Sequence, residues 1–360
     1  MSNVLDYINF RRDITFKQDP FNDVDAMILS ILVYLNIDQK MINKKININE
    51  VIKLYQSQNQ KNTYFNDVED VAEAILNTKR FENIIITNYE VINNEEKLIQ
   101  FAAMTFKIKG VATIVAFRGT DSSVLGWKEN LKLFYQENFD SDQYASNYLD
   151  LEISKIKLYN IFNKEKCMVI GHSKGGHLAI ASSYLSKFSS KIDRVINFDG
   201  PGFLEHFYLQ VSNQEIESKI TNYMPTDSIF GRMFIHHSSQ QIVQSDQKGL
   251  EQHNLCHWKI DLNHFKQAKK FDQSSHKIQS LLEKIIYRHS YENRKIGIEM
   301  IISILNKIEV HEVSDFQKLN FNDLITIIKE MSSISKEQRK FIIELTSIMY
   351  NQAKQSIKKM

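Results

Sequence analysis

The sequence predicts an α/β fold, a mixed and mostly parallel sheet flanked by helices, and three observations predict it. Between residues 149 and 198, short apolar strands alternate with helical stretches, the pattern of parallel βαβ units. A Gly-x-Ser-x-Gly run, Gly171-His172-Ser173-Lys174-Gly175, sits at one of the strand-to-helix turns. Upstream, residues 83–117 read as a strand-rich meander.

Element by element, the chain opens on Asn22-Asp23, a helix start signal, followed by Val24, Met27, Ile28, Ile31, Leu32 and Leu35 at helical spacing. That run predicts a buried amphipathic helix, and more helix is expected over 48–76. Strands are expected at 84–86, 89–92, 98–108 and 111–117, with turns at Asn93-Asn94 and Lys109-Gly110. Helix returns over 149–162, followed by a strand at 167–170, a helix at 174–185 and a strand at 194–198. Beyond Ser275 the strand signal stops, and 278–286, 296–308 and 341–350 carry helix-period apolar residues. No repeat and no Gly/Ser/Pro-rich linker interrupts the chain. The expected organisation is a helical N-terminal extension (1–80), an α/β core (81–274) and a helical C-terminal appendage (275–360), both ends packed on the core.

The chain has 360 residues, 42% hydrophobic and 24% charged, enough to bury an enzyme-sized core. Lys+Arg 45 against Asp+Glu 43 leaves a net charge of +2, so no bulk field favours nucleic acid or an anionic membrane. Asp6, Arg11, Arg12 and Asp13 interrupt the apolar run that an export signal needs. The apolar stretch 26–35 is far shorter than the roughly 20 residues of a membrane span. A cytoplasmic location is expected, with leaderless export left open. Cys167 and Cys256 are too few for a disulfide framework and lack metal-ligand spacing, which fits a reducing compartment.

In a nucleophile elbow the serine occupies a strained turn between strand and helix, and the flanking glycines let the two elements close on each other. Four apolar residues enter the turn before Gly171, and Leu178, Ala179, Ile180 and Tyr184 leave it on a helix. With 11 glycines in the chain, a chance match is on the order of a few per cent. This context is the signature of the α/β-hydrolase fold, with Ser173 as nucleophile.

A serine hydroxyl needs a base, and in this fold the partners follow in the order Ser, Asp or Glu, His. The histidines after Ser173 are His177, His206, His236, His237, His253, His257, His264, His276 and His289. His177 is one helical turn past the serine on the same helix, a packing position. Asp199 follows the 194–198 strand directly and Asp227 follows the 220–224 stretch. Both meet the need for an acid at the carboxyl end of a strand. The pair His236-His237 lacks ligand spacing and a nearby acid motif, so no metal and no cofactor is expected.

Residues 116–121 (Ala-Phe-Arg-Gly-Thr-Asp), 126–129 (Gly-Trp-Lys-Glu), 171–176 and 197–203 (Asn-Phe-Asp-Gly-Pro-Gly-Phe) resemble successive blocks of class-three lipases. The chain is more closely similar to a lipase-like branch of bacterial α/β-hydrolases, with further blocks at 21–35, 100–106, 227–231, Gln252-His253 and Trp258. The resemblance implies Asp227 as triad acid, His253 as triad base and Thr120 as support for the oxyanion hole. Thr120 follows a strand, placed to give its N–H and hydroxyl to the oxyanion beside the N–H of Lys174. Each such donor is worth about 3 to 4 kcal/mol in the transition state.

Three residues depart from the pattern. Lys174 replaces an apolar residue of true lipases, and its charge beside the elbow would favour an anionic acyl substrate or point into solvent. Asn130 stands where the branch has an acid, and His177 where it often has Asn. Arg118 and Asp121 are expected to pair or to brace the oxyanion loop, and Trp127 is expected in the core.

The expected function is hydrolysis of carboxylic esters, lipid or phospholipid acyl esters by resemblance, with peripheral membrane contact and a lid from the flanking helices as candidate features. The alternative is a scaffold on a hydrolase fold whose helical extensions bind a protein partner.

Overall fold

In the computed structural model, which describes residues 3–42, 45–58, 67–121, 123–136, 140–156, 166–211, 213–309 and 321–357, apolar runs from the whole first two-thirds of the chain join one eight-stranded sheet. Its strands are β1 (Ile46–Asn47), β2 (Ile84–Asn94), β3 (Ile99–Ile108), β4 (Ala112–Phe117), β5 (Lys166–His172), β6 (Ile192–Phe198), β7 (Ile220–Pro225) and β8 (Ser239–Val243), lying side by side in chain order. Pairing is antiparallel from β1 to β4 and parallel from β4 to β8.

Alternation along the strands sends side chains to two cores. Met168 and Ile170 of β5 join Ile114, Ala116, Ile196 and Phe198 on one face, while Cys167 and Val169 join Val115, Phe117 and Val195 on the other. The first face is covered by α1 (Val4–Arg11), α2 (Asp23–Leu32), α3 (Ile48–Ser57) and α4 (Asp67–Ile75). The second is covered by α6 (Asp140–Ser154) and α7 (Lys174–Leu185), with α8 (Glu205–Val211) and α9 (Gln214–Lys219) beside them, while α5 (Val124–Leu131) follows the β4 loop. A mostly parallel sheet covered on both faces, with the serine elbow at the end of a central strand, is the α/β-hydrolase fold.

Local chemistry explains the N-terminal helices. The Asn22 side chain accepts the N–H groups of Val24 and Asp25, and the Asp25 carboxylate accepts the Asn22 N–H, a capping box that starts α2. Asp25 is fully buried and is held by Arg80 in two hydrogen bonds, at 2.8 and 2.6 Å, and by the Tyr7 hydroxyl at 2.9 Å. A buried carboxylate is tolerable only when paired this way. The bond from Arg194 of β6 to Asp23 at 2.7 Å ties α2 to the sheet.

Several expectations shift. The runs 84–86 and 89–92 form one strand, bent where the register shifts between Ile86 and Asn88. Asn93 and Asn94 are in the ladder opposite Gln100 and Ile99, so the turn falls at 95–98: cross-strand hydrogen bonding outweighs the weak strand preference of Asn. The helix expected over 48–76 is two helices, and its 59–66 portion lies outside the described residues, as does 157–162 of the helix expected over 149–162.

The C-terminal part is helical: α10 (Gln273–Arg288), α11 (Tyr291–Lys307), α12 (Phe321–Ser332) and α13 (Lys336–Ile357). Ile278, Leu282, Ile298 and Phe341 pack with Leu131, Phe134 and Tyr135 at the end of α5 and just beyond it. Among the described residues, no helix is long and apolar enough to cross a membrane.

Candidate active site

Ser173 sits between β5 and α7 with φ 57° and ψ −130°, a conformation that costs a non-glycine residue energy. The strain points its half-buried side chain out of the turn. The glycines are sterically required: a Cβ on Gly171 would lie 2.1 Å from the Gly175 carbonyl oxygen, and one on Gly175 2.1 Å from that of Phe117. Strand, helix and the neighbouring β4 end therefore meet backbone to backbone.

Register brings an acid to the same level. His172 of β5 pairs with Phe198 of β6, so Ser173 and Asp199 leave adjacent strands side by side, and the Ser173 N–H donates to the Phe198 carbonyl at 3.0 Å. Asp199 is buried and has φ 52°, a left-handed position that Asp tolerates better than most residues. Its Oδ2 is 2.7 Å from His253 Nδ1, and its Oδ1 accepts the Ser228 hydroxyl at 2.5 Å and the Gly231 N–H at 3.2 Å. The imidazole lies between two rings, His172 at 4.5 Å and Phe230 at 4.3 Å between centroids.

Burial drives His253 down to about 3 and the Asp199 carboxyl well up from its ordinary value. The hydroxyl of Ser228 and the N–H of Gly231 act the other way on Asp199, favouring the carboxylate. Burial thus keeps the imidazole neutral beside an acid whose other oxygen is held by two further donors.

This arrangement corrects the assignment of Asp227 as the acid facing His253. The Asp227 carboxylate accepts the Gly249 N–H at 3.1 Å and the Ser274 hydroxyl, and its own N–H donates to Gln252 Oε1 at 2.9 Å. The register explains it: Phe198 pairs with Tyr223 of β7, so Asp199 is one residue past that level and Asp227 four. Asp227 instead braces the short turn, Gly249–His253, that delivers His253.

Of the competing histidines, His257 Nδ1 is 3.1 Å from the Asp246 carboxylate. His177 stacks on Phe203 at 4.1 Å with Nδ1 near the Pro201 and Gly202 carbonyls, a packing role. His236 Nε2 bonds the Gly231 carbonyl, and His237 stacks on Tyr208.

The loop after β4 lies against the serine: a Cβ on Gly119 would be 3.0 Å from Ser173 Cβ. Thr120 is buried, and its Oγ1 accepts the Asn130 amide at 2.8 Å, which leaves the hydroxyl proton for another acceptor. Arg118 pairs with Asp121 at 3.4 Å. Trp127 is half-buried, its indole N–H sealed from solvent without a partner among the described residues.

Lys174 is corrected as well. Its side chain is 2% exposed and runs beneath the elbow, where the ammonium bonds the Glu129 carboxylate and the Gln100 carbonyl. It is turned away from solvent, because a desolvated ammonium is driven to the buried Glu129 carboxylate beside it. Glu129 also accepts the Gln100 N–H at 2.9 Å and the Ser141 hydroxyl, while the Gln100 side chain bonds Asp121 at 2.6 Å. One buried network thus joins β3, α5, the start of α7 and the Thr120 loop. The Lys174 N–H, at the first position of α7, has no partner within the helix. Lys174→Met, which leaves Glu129 without its cation, is expected to lower stability by about 3–5 kcal/mol, read from the denaturant midpoint.

Sequence reasoning missed Gln100 and Glu129 as the network's centre, Phe230 against the imidazole, and Tyr34. Tyr34 sits just past α2, and its hydroxyl is 2.9 Å from His172 Nδ1. All four lay in blocks singled out by resemblance, but nothing in those blocks marked which side chains meet across the fold.

Solved structures similar to this chain include two lipases. One is M37 lipase, at TM-score 0.35 and 16% identity, with 57% of this chain and 67% of that one covered. The other is a mono- and diacylglycerol lipase from Aspergillus oryzae, at TM-score 0.38 and 11% identity, with 69% and 82% covered. Likenesses this distant say nothing of activity. Comparison with curated proteins finds no match. The sequence profile of the Mbeg1-like family matches residues 75–303, well over half of the chain and a span that includes Thr120, Ser173, Asp199 and His253. The chain belongs to the Mbeg1-like family.

Proposed function

We propose that the protein hydrolyses carboxylic esters through an acyl-enzyme on Ser173. His253 takes the serine proton at Nε2 while Asp199 holds Nδ1–H, which selects the tautomer and balances the charge as the imidazolium forms. The serine oxygen attacks the ester carbonyl carbon, and the oxyanion is received by the N–H groups of Lys174 and Thr120 with the Thr120 hydroxyl. Collapse releases the alcohol, which takes its proton from His253, and water then cleaves the acyl-enzyme by the same route. The observation that carries the reading is the conjunction of a strained serine at an elbow, φ 57°, with a His253–Asp199 contact of 2.7 Å one strand away.

The substrate class we assign is a lipid or phospholipid acyl ester. Its support is the resemblance of residues 116–121, 171–176 and 197–203 to class-three lipase blocks. In this reading, residues 1–80 and 275–360 are helical extensions of a catalytic core at 81–274.

A panel of p-nitrophenyl, glyceryl and phospholipid esters, run beside Ser173→Ala, tests the assignment. Turnover of at least one acyl ester above the Ser173→Ala control is expected, with long-chain esters preferred. A panel in which no ester is consumed faster than by that control would refute it.

A further inference from the structure

The family match begins at residue 75, yet side chains from the helices before it reach the loops that carry Ser173 and His253. Tyr34 is 3% exposed. Its hydroxyl oxygen accepts the Gly119 N–H at 3.1 Å and lies 2.9 Å from His172 Nδ1. His172 Nε2 lies 2.9 Å from the His253 carbonyl oxygen. From α4, Asp67 accepts the Asn254 amide at 2.6 Å, one residue past His253.

Proton directions follow from elementary valence. A carbonyl only accepts, so His172 carries its proton on Nε2. A neutral imidazole then only accepts at Nδ1, so the Tyr34 O–H donates there, and the Tyr34 oxygen is free to accept the Gly119 N–H. Burial holds His172 well below its ordinary pKa, in keeping with the neutral ring. The chain runs in one direction, Gly119 N–H to Tyr34, Tyr34 O–H to His172, His172 Nε2–H to the His253 carbonyl. It touches the residue before Thr120, the residue before Ser173 and His253 itself.

We propose that Tyr34 is a positioning residue, whose hydroxyl, acting through His172, fixes the oxyanion loop, the nucleophile and the His253 backbone relative to one another. The N-terminal helices are then part of the catalytic unit. This rests on the serine-hydrolase reading and extends it to a residue that lies outside the family match.

Tyr34→Phe removes only the hydroxyl, and with it the bonds to the Gly119 N–H and to His172 Nδ1. The test is the rate at which a fluorophosphonate labels Ser173, with kcat and KM on a hydrolysed ester, for the full-length chain, Tyr34→Phe, His172→Asn and the double variant. Tyr34→Phe is expected to lower the labelling rate and kcat by about 10- to 100-fold with KM within about twofold of the parent. If one chain of bonds is at work, the double variant loses no more than the worse single. A mere packing role would leave kcat intact or make the two losses multiply, and either result overturns the proposal. Should Tyr34→Phe not fold, His172→Asn carries the same expectation and the same refutation. Parent protein that does not label overturns the hydrolase reading and this inference with it. Parent protein that labels, beside Tyr34→Phe labelling equally fast, overturns this inference alone.

Discussion

Ser173→Ala is expected to lower ester turnover by about 10⁶-fold while the chain stays folded. In the proposed mechanism the hydroxyl is the attacking atom, whereas the elbow is held by contacts the substitution leaves alone: the Ser173 N–H to the Phe198 carbonyl, and the Gly176 N–H to the Ser173 carbonyl at 2.9 Å. His253→Ala is expected to cost about as much, and the double variant little more, because nucleophile and base act as a unit. Steady-state turnover of a p-nitrophenyl ester, with circular dichroism as the folding control, checks all three.

Asp199→Asn is expected to lower kcat by about 10⁴-fold. The amide presents an N–H where His253 Nδ1 donates, so the ring turns to the wrong tautomer. The acid limb of the pH profile of kcat/KM is expected to move to lower pH. The sign follows from the base being active when neutral: a carboxylate 2.7 Å from the ring favours the imidazolium, and an amide in its place leaves the downward pull of burial with less to oppose it. Asp227→Asn is expected to keep kcat within about tenfold and to lose about 1–3 kcal/mol of stability, because its oxygens serve Gly249 and Ser274. The reverse ranking, with Asp227→Asn the crippled variant, would return the acid's role to Asp227.

What was legible in the sequence was local. The helix expected over 174–185 is α7 residue for residue, because a glycine-flanked turn and an apolar run specify it with near neighbours. The choice of His253 rested on resemblance, and the structure sets its ring against Asp199. The choice between Asp199 and Asp227 was not legible, since both follow strands that end on one side of the sheet, and only the pairings of His172 with Phe198 and of Phe198 with Tyr223 separate them. Lys174 misled because a lysine beside an elbow reads as exposed charge until a buried carboxylate is known to wait on another helix. β8 left no signal because, in Ser239–Val243, only the last residue is buried. Tyr34 acts through a single hydroxyl across a tertiary contact, which periodicity does not register.

The most direct measurement is peptide mapping by mass spectrometry after exposure of the full-length chain to a fluorophosphonate. One adduct on the peptide containing Ser173, lost in Ser173→Ala and strongly slowed in His253→Ala, is the predicted result. No adduct, or an adduct on another residue that survives Ser173→Ala, would contradict it.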